Sequence, residues 1–137
     1  MKETILVAVY GTLRRGFHNY NACLKDDDVE YMGEYQTEPI YNMYSVGGFF
    51  PALTKDGYTS VTMEVFEVDK NTLERLDLLE GYDAEYDRDN HYNREPIITP
   101  YGNAFTYFYN QDTKSLRLIL SGDWKEYINN KKLILTN

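Results

Sequence analysis

The run ILVAVY (5–10) is continuously apolar, rich in β-branched residues and stopped by Gly11. That pattern fits a strand buried on both faces better than a helix of the same length. EYMGEYQT, IYNMYSV and VTMEVFEV instead alternate apolar or aromatic with polar residues, which predicts half-buried strands. EPIITP and NAFTYFYN read as two further strands joined at YGN, a hairpin that places Phe105, Tyr107 and Tyr109 on one face. Between strands, GTLRRG is a turn, FHNYNACLK (17–25) a short helix and GGFFPALTKDG a loop. The tail SLRLILSGDWKEYINNKKLILTN carries no pattern clear enough to assign. The sum is a strand-rich, mixed α/β domain covering residues 1–137, with a few short helices and neither repeats nor a linker.

One helix has a legible start and stop. Asn71 can cap it, Glu74 lies three residues later as in a capping box, and Gly81 ends it by accepting the left-handed conformation. At about 100° per residue from Leu73, the four leucines Leu73, Leu76, Leu78 and Leu79 centre near 280°, with Glu74 about 180° from that direction. Glu80 lies only about 60° from it, so one acid is aimed towards the core and needs a reason for its desolvation. Arg94 is a candidate ion-pair partner that would make it structural.

A net charge of −8 argues against a nucleic-acid partner, because binding a phosphate backbone rests on a basic face. The adjacent pairs Arg14–Arg15 and Lys131–Lys132 read as solvated charge. A lone cysteine, Cys23, excludes an internal disulfide and reads as a small buried hydrophobe. The apolar run near the N-terminus is too short for a signal peptide core or a membrane span, so the expectation is a soluble cytoplasmic protein without a membrane partner.

Candidate chemistry is sparse. Gly11 and Gly16 bracket a turn after a buried strand, where backbone N–H groups can converge on an anion, although both phosphate-loop motifs are missing and a ligand-free turn remains open. The acidic stretch YDAEYDRDNHYNRE (82–95) is not a calcium loop: counted from Asp83, the sixth residue is Arg88 and the twelfth Arg94. It reads as an exposed loop. His18 and His91 belong to no metal-ligand spacing, and no metal or cofactor is expected. Most of the fourteen tyrosines suit strand packing, though a phenol lining a pocket offers both a donor and an acceptor.

Three segments together change the picture. VYGTLRRG at the end of the first strand, LDLLEGY on the later helix and AFTYFYN on a late strand resemble the gamma-glutamylcyclotransferase-like superfamily. YGTLRRG and the closing SGDW are most similar to its gamma-glutamylamine cyclotransferase branch. The resemblance implies a small fold built around a β-barrel with a pocket at one end. It implies a small-molecule γ-glutamyl substrate, which cyclises to 5-oxoproline as it loses an amine or amino acid. Tyr10, Gly11, Thr12 and Leu13 would hold the substrate's α-amino and carboxylate groups through the backbone, and Glu80 would be the catalytic acid/base. Tyr92, opening the Y-x-R segment YNRE, and Tyr107 would face the ligand, while Tyr86 of YDRD offers a competing register. Pro51 in GGFFPAL matches the family's glycine and proline loop. A non-catalytic binding protein of the same fold is the other reading, and oligomeric state is open.

Overall fold

The computed structural model describes residues 3–26, 28–85 and 89–136, the last six of these by backbone alone. Tyr86 and the side chains of Lys131 and Lys132 lie outside that description. The apolar run forms β1 (Thr4–Val9), with α1 (His18–Cys23), β2 (Glu30–Gln36), β3 (Tyr41–Val46) and β4 (Phe50–Lys55) following. Then come β5 (Thr62–Asp69), α2 (Lys70–Glu80), β6 (Tyr92–Thr99), β7 (Gly102–Tyr109), β8 (Arg117–Leu118) and α3 (Trp124–Thr136). The strands make two sheets, ordered β2-β5-β1-β7-β6 and β4-β3-β8. Neither closes on itself, so the expected barrel is a loose description of a mixed α/β fold in which strands dominate.

β1 lies at the centre of the larger sheet, antiparallel to β5 and parallel to β7. Its side chains alternate between two cores. Val7 and Val9 face Phe66, Val68, Leu73 and Leu76, whereas Ala8 and Tyr10 face Met43, Leu53, Met63 and Trp124. Helix α2 therefore covers one face and the smaller sheet with α3 the other, which is why the strand carries no polar alternation.

Several expectations give way. GGFFPALTKDG is not simply a loop: from Phe50 it is β4, the edge strand of the smaller sheet. Proline is tolerated there because an edge leaves one side of the strand without a ladder partner. Helix α2 begins earlier than expected, since Asp69 is its cap and accepts from the Thr72 N–H at 2.8 Å. The unassigned tail forms β8 and α3, and Asp123 caps that helix by accepting from the N–H groups of Lys125 and Glu126. The 92–95 part of the acidic stretch opens β6 instead of lying in a loop. Cys23 is half-buried.

Arg14 departs furthest from its expectation. Only 2% exposed, it donates to Glu64 at 2.7 Å, Asp123 at 2.8 Å and Glu34 at 3.0 Å. Arg15 and Lys125 join the same Glu64 carboxylate at 3.3 and 3.2 Å. Three cations thus balance three anions behind the turn that follows β1, and the doubled arginine anchors the turn.

Candidate active site

The first strand ends in a turn because Gly11 admits a contact that no other residue would: a Cβ there would lie 2.5 Å from Pro51 Cγ of β4. The turn closes with Arg14 N–H donating to Gly11 O at 2.9 Å, and Glu64 accepts the Arg15 N–H at 3.1 Å. No described residue accepts from the N–H of Gly11, Thr12 or Leu13. Three successive donors therefore stand available to an anion. Asn19 of α1 steadies the turn by donating to Thr12 Oγ1 at 2.7 Å.

Helix α2 brings the carboxyl. It stops after Glu80 because Gly81 takes the left-handed conformation, φ 67° and ψ 40°, and returns its N–H to the carbonyls of Asp77 and Leu78. The inward face of this helix is narrower than the four leucines suggested: Leu73 and Leu76 are buried, but Leu78 is 84% and Leu79 45% exposed. On a helical projection Glu80 then falls between the two buried leucines, about 20° from Leu73. Its side chain is half-buried and makes no hydrogen bond or ion pair with any described residue. Burial pushes its pKa from the ordinary 4.5 to about 7. Arg94, the expected partner, pairs with Asp77 instead.

These parts meet at a cavity of about 210 Å³. Tyr10, Gly11, Thr12, Leu13, Pro51, Glu80, Tyr92 and Tyr107 all line it, so every expected site residue is at one place. Tyr92 donates to Pro51 O at 2.7 Å, Tyr107 to Asp77 Oδ1 at 2.7 Å, and Tyr10 to Tyr107 O. Each phenol has thus spent its proton on the protein, and its oxygen remains able only to accept. Burial raises the pKa of all three, and the nearby Glu80 carboxylate adds to the rise.

Sequence reasoning missed six wall residues: Ala8, Val9, Asn19, Phe50, Leu79 and His91. Leu79 and Phe50 adjoin residues already singled out, so the chain neighbourhood was the available signal. In the sequence His91 bears only on metal binding. It packs its ring against Phe50 edge-on at 5.6 Å and against Tyr92 at 5.0 Å. Nothing in the local pattern marked Asn19.

The chain as a whole has relatives. The family model "Gamma-glutamyl cyclotransferase, AIG2-like" matches residues 7–126. A Vibrio cholerae protein named provisionally as a gamma-glutamylcyclotransferase is 40% identical over 119 residues, spanning 87% of this chain and 94% of that one. The Escherichia coli gamma-glutamylcyclotransferase family protein YtfP is 34% identical over 118 residues, 86% of this chain and 94% of that one. Its solution structure superposes with a TM-score of 0.67, covering 90% of this chain and 98% of that one. An AIG2-like mouse protein shares the fold at 23% identity and a TM-score of 0.68, over 89% and 88% of the two chains. The chain belongs to the gamma-glutamyl cyclotransferase, AIG2-like family. Among the described residues no helix is long and apolar enough to cross a membrane.

Proposed function

We propose that this protein is a γ-glutamyl cyclotransferase that releases 5-oxoproline and a free amine or amino acid from a γ-glutamyl compound, with Glu80 as the acid/base. The observation that carries the reading is an unpaired glutamate on the wall of the same cavity as the Gly11–Leu13 turn. The substrate's α-amine attacks its own γ-carbonyl, forming the ring C–N bond as the bond to the leaving nitrogen breaks. Starting from the ammonium, two protons pass from the attacking nitrogen to the leaving one. A carboxyl with a pKa of about 7 suits both directions, being basic enough to take a proton and acidic enough to return it. The N–H groups of the turn hold the substrate's α-carboxylate, and the acceptor-only phenols of Tyr10, Tyr92 and Tyr107 receive the α-ammonium. No metal is required for this proton traffic.

The test is release of 5-oxoproline from a panel of γ-glutamyl amines, peptides and amino acids. Turnover of at least one member supports the reading, and its leaving group identifies the branch. Binding without turnover across the panel would favour the non-catalytic alternative, and near-wild-type turnover by Glu80→Gln would remove the glutamate from the mechanism.

A further inference from the structure

The wall of the cavity has an enclosed end and an open rim. At the enclosed end Gly11 and Leu13 are buried beside Pro51, and the turn offers its N–H groups to one carboxylate. At the rim three side chains join up. The Phe50 ring meets the His91 ring edge-on at 5.6 Å, the His91 N–H donates to Gly81 O at 3.2 Å, and Gly81 directly follows Leu79 and Glu80. Phe50 is half-buried, Leu79 is 45% exposed and His91 is exposed, so the cavity opens to water here.

We propose that Phe50, Leu79 and His91 form the leaving-group subsite and select γ-glutamyl conjugates of apolar amines without a carboxylate over γ-glutamyl amino acids. This rests on the cyclotransferase reading and names the substrate class of the same site. With the α-carboxylate on the turn and the leaving nitrogen at Glu80, the group carried by that nitrogen lies on the rim side of Glu80. A leaving amino acid would bring a second carboxylate there. No described arginine or lysine lines the cavity: Arg14, Arg15 and Lys125 bond to Glu64, and Arg94 to Asp77. Glu80, when ionised, repels a second anion. A carboxylate drawn from water without a partner is penalised, whereas an alkyl chain laid on Phe50 and Leu79 is stabilised by the apolar surface it covers.

A matched pair tests this: the γ-glutamyl amide of isopentylamine and γ-glutamyl-leucine, which differ only by the leucine carboxylate. At about pH 8, where an imidazole is neutral, 5-oxoproline release should give the amide a kcat/KM about 10- to 100-fold higher. Leu79→Lys, on the exposed surface of α2, supplies the missing cation and should narrow that ratio by about threefold. Both substrates meet the same enzyme, so any effect of the lysine on Glu80 itself cancels in the ratio. A wild-type ratio near one, or one that favours γ-glutamyl-leucine, overturns the subsite and leaves the cyclotransferase reading standing. A ratio that Leu79→Lys leaves unchanged also overturns it. If nothing in the γ-glutamyl panel turned over, the catalytic reading would fall, and calorimetric titration of the same pair into the wild-type protein would still judge the subsite. Tighter binding of the amide supports it; equal or weaker binding overturns it.

Discussion

Glu64 and Glu80 are the same side chain withdrawn from water in two ways. Glu64 is 0% exposed, yet Arg14, Arg15 and Lys125 surround it, and its pKa is lowered because those bonds outweigh the desolvation. Glu80 has the desolvation without the bonds, and its pKa rises to about 7. A carboxylate buried with cations is a fixed anion that can organise a turn; one buried alone is a group ready to exchange a proton. The turn from Gly11 to Arg15 connects them, since Glu64 grips it from behind and the Glu80 cavity opens in front.

The largest effect separates their roles. Glu80→Gln keeps shape and removes proton transfer, so 5-oxoproline release falls by about 10²- to 10⁴-fold while the thermal unfolding midpoint stays close to wild type. Glu64→Leu does the reverse in kind. Removing the central anion leaves Arg14 buried with only its outer partners, at a cost of about 3–5 kcal/mol, read as a lower urea midpoint. A Glu64→Leu protein as stable as wild type would mean that the network does not hold the turn.

The two carboxylates also pull stability in opposite directions with pH. The Glu80 pKa is raised on folding, so its contribution is full below about 4.5 and is lost as pH rises through about 7. For Glu64 the folded pKa is depressed; its contribution is present above the ordinary carboxylate value of 4.5 and lost as pH falls through the lowered one. Denaturation from pH 4.5 to 8 should therefore show Glu80→Gln gaining stability relative to wild type as pH rises. A constant difference between the two proteins would show that the Glu80 carboxyl is solvated.

Much of this was legible in the sequence where local pattern and packing agree. The unbroken apolar run of β1, the alternation of β2 and β3 and the β6–β7 hairpin all follow from residues that face a core on one or both sides, whereas β5, expected to be half-buried, is enclosed on both faces from Thr62 to Phe66, Glu64 included. The inward turn of Glu80 was legible too, although averaging over four leucines misplaced the inward direction, because Leu78 and Leu79 lie towards solvent. Pattern failed where distant segments set the environment. Two adjacent arginines look solvated until β5 supplies Glu64, β2 Glu34 and the α3 cap Asp123. Likewise β4 contains a proline and follows two glycines, and only its pairing with β3 makes it a strand. The roles of the site residues rest on the family resemblance, and among the wall residues it does not name, Asn19 is the clearest case of one that only the fold brings to the cavity.

The smallest effect tests whether the Glu64 network has a centre and a rim. Lys125 reaches Glu64 at 3.2 Å with its side chain about one-third exposed, whereas Arg14 is almost wholly enclosed. Water already solvates part of the lysine, and Glu64 keeps two bonds from Arg15 and one from Arg14 when it is removed. Lys125→Met should therefore change stability by under about 1 kcal/mol, with the difference shrinking further at high salt. Turnover should be unchanged, because the Arg15 N–H still fixes the turn. If Lys125→Met instead matched Glu64→Leu, the anchoring charge would lie at the surface, and the contrast between an enclosed anion and an unpaired one would lose its first term.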